Sequence, residues 1–418
     1  MTRVGPKNRG RSWPLRALLT AATALVVSGA AVASLGETAS RAGAATGGSP
    51  IKIGFVCSCS GPFSSDLTDV EPVYRAWANS VNANGGINGH RVDVIYADDK
   101  GNPGTSTAIV QTFIHSDHVV AIMDATDLQE AWASDVQRAG IPVIGMFSGD
   151  TPFSTNPDFY AEGQTADSLF VSVAETAKKA GTPKLGLMYC AESPSCQQAV
   201  APLNATAKAE GIEVVANLEI SATAPNYAAQ CLAAKQAGAE MLFIIDGQTV
   251  VEKVAADCTA QGYDPKYTFD AEALVEGMAS TPGLRSGTYM AVPDMPFFAS
   301  TPGVKEMDAA LNKYAKGIRS HATTYGEIAM QSWISAKLFQ AAALAGHLGA
   351  RGTAPTPAEV VRGLHALNGT TLDGLAPPLH FAAGKANPVD CWYWATIQNG
   401  KFKLPFGTKP ACSSQSLS

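Results

Sequence analysis

The chain has 418 residues, of which 46% are hydrophobic and 16% charged, with a formal net charge of −6. That composition belongs to a folded protein and excludes a disordered or collagen-like one, and the length exceeds one ordinary core and suits two domains. The acidic balance argues against a nucleic acid or an anionic membrane surface as partner.

Arg3, Lys7, Arg9, Arg11 and Arg16 precede an apolar stretch from Ala17 to Ala33, after which small residues dominate up to Ala45. A basic start, an apolar middle and a small-residue exit read as a secretory signal over residues 1–44, cleaved after Ala33, Ala44 or Ala45; an uncleaved N-terminal anchor is the alternative. No cysteine lies just after the apolar stretch, so no lipoprotein lipobox is seen. No later apolar run is long enough to span a membrane. Residues 1–44 hold six of the 30 basic residues and one of the 36 acids, so the exported part carries 24 against 35, near −11. An exported, extracytoplasmic protein is expected.

From Ile51 onward, short β-rich runs alternate with helical-length segments. The expected strands are 51–56, 91–97, 119–123, 141–147, 184–189, 212–220 and 240–246. Between them lie segments such as "DVEPVYRAWANSVNAN" and "NYAAQCLAAKQAG", several ending on Gly as helices often do. Strand then helix, repeated, means a mostly parallel sheet with helices on both faces. The rhythm breaks at 148–164, where Pro, Gly, Asn and Asp occur without an apolar period, and this reads as a crossing between two units. The count restarts at Lys184. Beyond it come strands near 266–270 and 287–292, a long helix over 325–347, and a hairpin in "CWYWATIQNGKFKLP" with Asn399-Gly400 as its turn. The expected fold class is therefore α/β, with two doubly wound Rossmann-like lobes in tandem.

All eight cysteines fall in the exported part, and an even set there reads first as disulfides, with the pairing open. Cys190 and Cys196 would close a short loop, Cys231 and Cys258 fall on successive helices, and Cys391 and Cys412 bracket the C-terminal tail. Cys57 and Cys59 are left over. Without further ligands nearby, a metal site is weak for this pair, and a local disulfide or two buried small side chains are the better readings. An i, i+2 bridge requires a kinked backbone.

Ligands of open α/β sheets bind beyond the carboxyl ends of the strands. Those ends read "CSCSGPFSSD", "DATD", "SGD", "CAESPSC", "DGQ" and "DAE". They make Asp124, Asp127, Asp246, Asp270 and Glu272 candidates for a cleft, against the plainer reading of a solvated rim. Phe63, Phe147 and Tyr325 read as core or hinge packing before ligand platforms.

"IKIGFVCSCSGPFSSD", "NANGGINGHRVDVIYADDKGNPGTS" and "GIPVIGMFS" resemble the extracytoplasmic solute-binding proteins of ABC importers of the branched-chain amino acid (Leu/Ile/Val-binding) type. Weaker similarity runs through "GAEMLFIIDGQTVVEKVAADCTAQGY" and "TTYGEIAMQSW", so it covers most of residues 50–345. The resemblance implies a type I periplasmic binding fold, two lobes joined by a three-crossing hinge that closes on a small ligand. One lobe would hold 50–164 plus 292–378 and the other 165–291 plus 379–412. The implied partners are a small-molecule ligand, amino acid-like or another small organic solute, and the membrane permease subunits of an ABC importer. No cofactor, metal or nucleic acid is implied, and a monomer is expected.

Carried over residue by residue, the resemblance sets Ser64, Ser65 and Asp66 in the loop where the family usually offers an aromatic. Ala125, flanked by Asp124 and Thr126, takes the place of a hydroxyl residue that binds an amino acid's carboxylate, and Asp124 would repel that group. Phe147 with Ser148 or Gly149 matches a backbone carbonyl and a hydroxyl. Ser195 and Gln248 stand where aromatics usually stack. Glu272, beside Asp270, corresponds to the acid that takes the amino group, and Tyr325 opens the long helix near the hinge. The scaffold is thus matched more fully than the amino-acid specificity.

Catalytic patterns are poor. There is no G-x-S-x-G elbow, H-E-x-x-H, P-loop or G-x-G-x-x-G. His115 and His118 read as a surface helix end rather than a metal pair. Asn204 and Asn368 match the glycosylation triplet, a pattern frequent by chance. No catalytic residue is assigned. A binding protein for an importer is the favoured reading, with a ligand sensor or an enzyme on the same bilobed fold as the alternative.

Overall fold

The apolar run at 51–57 becomes a strand covered on both faces, which is why it is almost continuously apolar rather than alternating. It belongs to a computed structural model that describes residues 47–61, 64 and 66–413, all within one compact unit. The expected signal segment, its cleavage positions, and Pro62, Phe63 and Ser65 lie outside the described residues.

The first sheet contains β1 (Ile51–Cys57), β2 (Val92–Asp98), β3 (Ala121–Ala125), β4 (Val143–Gly145) and β5 (Phe159–Ala161). Their order is β2-β1-β3-β4-β5, every pair parallel. The connecting helices are α1 (Val70–Ala83), α2 (Pro103–Thr112), α3 (Ala133–Ala139) and α4 (Thr151–Thr155). Helix α5 (Ala166–Ala180) then leads into β6 (Lys184–Cys190), α6 (Pro194–Ala209), β7 (Glu213–Ile220), α7 (Ala228–Ala237), β8 (Met241–Ile245), α8 (Gln248–Ala260), β9 (Lys266–Phe269) and β10 (Thr288–Val292). After these come α9 (Pro302–Tyr314), α10 (Glu327–Ala345), α11 (Pro357–Ala366) and a small ladder of β11 (Asn368–Thr370) with β12 (Leu379–His380). The chain ends in β13 (Cys391–Gln398), β14 (Lys401–Lys403) and β15 (Ala411–Cys412). The second sheet runs β14-β13-β10-β9-β8-β6-β7, parallel from β10 to β7, with β13 antiparallel at its side.

Residues 148–164 are more ordered than their sequence suggests, since they hold α4 and β5. Three residues are too few to show a period of two, and the strand is fixed by tertiary contacts instead. Phe159 stacks on Trp132 at 5.8 Å and meets Phe153 edge-on at 5.2 Å. The long helix starts at Glu327 rather than 325, because Tyr325 and Gly326 are held in a bridge to Val275. The Asn399-Gly400 turn forms as expected, with both residues at positive φ (52° and 68°) closing the β13–β14 hairpin.

The chain passes between the two sheets three times. Glu162–Thr165 leads out of β5, the segment after β10 leads to α9 and α10, which pack on α1, and residues before β13 lead back. The first and third passes are tied together, since Thr165 N–H and Ser168 Oγ both donate to Val389 O, at 3.0 and 2.8 Å. The N-terminus of α10 is stitched to the segment after β9: Glu276 N–H donates to Tyr325 O (3.0 Å) and Glu327 N–H to Leu274 O (2.9 Å).

Disulfides join Cys57–Cys59, Cys190–Cys196, Cys231–Cys258 and Cys391–Cys412. The first pair is the local bridge, with Cα atoms 5.1 Å apart against about 6.6 Å for two residues of extended strand, so the chain bends where β1 ends.

Candidate functional site

The carboxyl ends of β1, β3, β4, β6, β8 and β9 converge on a cavity of about 440 Å³, a volume suited to a small organic molecule. Its walls come from both sheets. The first sheet's side contributes Ser58, Asp66, Leu67, Thr126, Asp127, Phe147, Gly149 and Asp150. The other side contributes Leu169 and Phe170 from α5, the Cys190–Cys196 loop with Glu192, Ser193 and Ser195, Phe243 and Ile245 from β8, then Asp246, Asp270 and Glu272.

Local chemistry sets each wall. Ser58, between the bridged cysteines, donates from Oγ to Asp99 Oδ1 (2.7 Å) and lies 2.9 Å from Thr126 Oγ1, which locks the ends of β1 and β3 together. The Cys190–Cys196 bridge closes the "CAESPSC" loop into a rigid rim, where Glu192 Oε1 accepts from Ser221 Oγ (2.6 Å) and Ala222 N–H (2.9 Å). On β8, Phe243 and Ile245 are two residues apart and so face the cavity together.

The electrostatics are one-sided. Seven carboxyl groups line the cavity and no Lys, Arg or His does, among the described residues. Burial pushes Asp127 up to about 6, with Asp270 and Asp99 adding to the rise, although the side chain keeps accessible surface, which faces the cavity. Asp150 is raised well above the carboxylate range by burial, with Asp127 and Asp124 contributing. Glu272 is raised likewise by burial and then by Asp270, Asp127 and Asp150. Asp246 is raised to about 7 by burial, partly offset by the Gly247 N–H (2.8 Å) and reinforced by Glu192 and Asp66. Burial also raises Asp270, against the N–H groups of Glu272 and Ala271. Asp246 Oδ2 and Asp150 Oδ2 are buried without a donor.

Of the residues singled out in the sequence, Asp66, Thr126, Asp127, Phe147, Gly149, Ser195, Asp246, Asp270 and Glu272 line this cavity. Asp124 and Ala125 do not, since both are fully buried within β3 and Gln129 Nε2 holds Asp124 Oδ2 at 2.7 Å. Ser148 turns away to donate to Gln164 O (2.7 Å), and Ser64 closes its own turn on Gly61 O (2.9 Å). Gln248 is engaged with Glu252 on α8. Tyr325 is buried against Phe297 (5.8 Å) at the hinge, outside the lining. Ser65 lies outside the described residues. His115 and His118 are exposed at the end of the turn after α2.

Reading the sequence by strand ends passed over Ser58, Asp150 and Glu192, although all three stand in the quoted strand-end motifs. It also missed Leu169, Phe170 and Phe243. The alternation on β8 is a usable signal for Phe243, whereas the α5 residues join the cavity only through the way the helix packs on the second sheet. Among the described residues one grouping has metal-ligand spacing, Asp390 with Cys391 and Cys412, and its two sulfurs are joined in a disulfide rather than available as thiolates.

A family model described as "Periplasmic binding protein" matches residues 50–401. Solved structures with the same architecture include a branched-chain amino acid ABC transporter protein from Thermus thermophilus with bound valine, at TM-score 0.77 and 15% identity, covering 87% of this chain and 97% of that one. A fatty acid ABC transporter substrate-binding protein from Thermomonospora curvata aligns at TM-score 0.72 and 18% identity, over 88% and 93%. A solute-binding protein of an ABC transporter from R. palustris in complex with benzoate aligns at 0.70 and 15%, over 88% and 98%. No curated protein matches the sequence.

Proposed function

The chain belongs to the periplasmic binding protein family, and from that premise we propose that it captures a small organic solute between two lobes outside the membrane and delivers it to the permease subunits of an ABC importer. The observation that carries this reading is the cavity at the carboxyl ends of the parallel strands of two sheets that the chain joins by three passes. We take residues 50–164 with 292–378 as one lobe and 165–291 with 379–412 as the other, with the passes as the hinge. The lining residues named above hold the solute. The ligand supplies the free energy difference that favours the closed arrangement, so capture and release need no chemistry. The protein works as a monomeric binder, not an enzyme, in an extracytoplasmic space, where its four disulfides persist.

The test is a thermal-shift screen of the purified protein across amino acids, amides, amines, aromatic acids and fatty acids, with each compound recovered and analysed afterwards. The reading expects at least one compound to raise the melting temperature and to be recovered unchanged. Consumption of the stabilising compound, or no stabilisation across the screen, overturns it.

A further inference from the structure

The family structures named above are described with valine or benzoate bound, and both ligands carry a carboxylate. This cavity is built against one. Asp127, Asp150, Asp270 and Glu272 form one carboxyl group cluster and Asp66, Glu192 and Asp246 a second, with mutual repulsion inside each. Nothing cationic lines the space between them, among the described residues. Ala125, which the resemblance sets in place of a carboxylate-binding hydroxyl, is sealed inside β3. Buried oxygens of Asp150 and Asp246 remain without donors, and a buried carboxylate without a partner is costly. Beside the acids the wall is apolar, formed by Leu169, Phe170, Phe243 and Ile245, which join the hydrophobic cluster of the second sheet.

Resting on the capture reading, we propose that this cavity selects an organic amine with an apolar body and no carboxylate group. The ammonium sits among the carboxyls and supplies the donors that Asp150 and Asp246 lack, as a charge-assisted contact in a low-dielectric space. The hydrocarbon body packs on the apolar wall from α5 and β8. A ligand carboxylate finds no cationic partner in the lining and meets like charge from whichever of these carboxyls is ionised, so an amino acid loses more through its acid than it gains through its amine.

The experiment is calorimetric titration of the purified protein with three matched probes: 2-phenylethylamine, 3-phenylpropanoate and phenylalanine. The amine is expected to bind at least about tenfold more tightly than phenylalanine, with no measurable heat from the propanoate. Asp246→Asn and Asp270→Asn are each expected to weaken the amine about tenfold, with circular dichroism and melting temperature confirming the fold. Tighter binding of phenylalanine or 3-phenylpropanoate overturns the amine assignment while leaving solute capture standing. Failure of the amine to bind at millimolar concentration also overturns it, and the wider screen then decides the capture reading separately. Amine binding unchanged by both Asp→Asn variants overturns the assignment of the carboxyls.

Discussion

Replacing Glu327 by Gln tests how the hinge carries its acids. Glu162, Asp294 and Glu327 stand where the passes meet, each wholly buried, and none of their six carboxylate oxygens has a donor at hydrogen-bonding geometry. The passes are close: a Cβ on Gly163 would lie 2.7 Å from Asp294 Oδ2. Burial raises Glu327 from 4.5 to about 8, against an offset from the Phe297 N–H, and raises Asp294 and Glu162 strongly in the same direction. The folded protein therefore holds these protons more tightly than the unfolded chain. For Glu327 this contribution to stability is fully present below the unfolded value of 4.5 and is lost as pH rises through about 8. For Glu327 alone the full displacement corresponds to about 5 kcal/mol. Rearrangement around the charge recovers part of that, so Glu327→Gln, which removes the titration at nearly constant shape, is expected to stabilise by about 1–3 kcal/mol at pH 8.5. At pH 5 it should have little effect. Melting temperatures of both proteins across that range measure the difference, expected as a gain of about 2–5 °C at the alkaline end only. A loss of stability of equal size at both pH values refutes the reasoning, because it assigns Glu327 a hydrogen-bonding role instead of a desolvation penalty.

Amine affinity should rise between pH 5 and pH 8, since Asp127 and Asp246 ionise through about 6 and about 7 and an ammonium favours their charged forms; titrations in two buffers of different ionisation heat should show proton release within that window. Gly247→Ala places a methyl group against the Asp66 carboxylate across the cavity, while its backbone (φ −67°, ψ 167°) suits alanine. Ligand affinity should therefore fall about tenfold, read by calorimetry, with little change in melting temperature. Removing the Cys231–Cys258 bridge by double Ala substitution releases a loop of sequence separation 27 and should cost about 3–4 kcal/mol, read by denaturant titration under oxidising conditions.

The repeated strand and helix pattern made the fold readable, because nearly every strand from 51 to 246 lies in an apolar run long enough to stand out against polar turns. The exception was β5, three residues fixed by Trp132 and Phe153 rather than by any local pattern. Strand ends located the cavity, and so Asp246, Asp270 and Glu272 were found as members of its wall. Direction was harder. Asp124 and Asp127 lie three residues apart at the same strand end, yet one is sealed inside β3 by Gln129 and the other opens into the cavity. That difference depends on where the chain turns after Ala125, which spacing does not reveal. The question of Cys57 and Cys59 was likewise one of geometry, and the bridge explains why the chain bends there and brings Ser58 to the wall. The α5 part of the cavity's apolar side was illegible, since Leu169 and Phe170 look in sequence like any other core positions of an amphipathic helix.

Solute capture is tested most directly by calorimetric titration of the purified protein with a stabilising compound, followed by mass spectrometry of that compound. The account predicts saturable binding of one molecule per chain and full recovery of the compound unchanged. Heat that continues past saturation together with a converted product would contradict it.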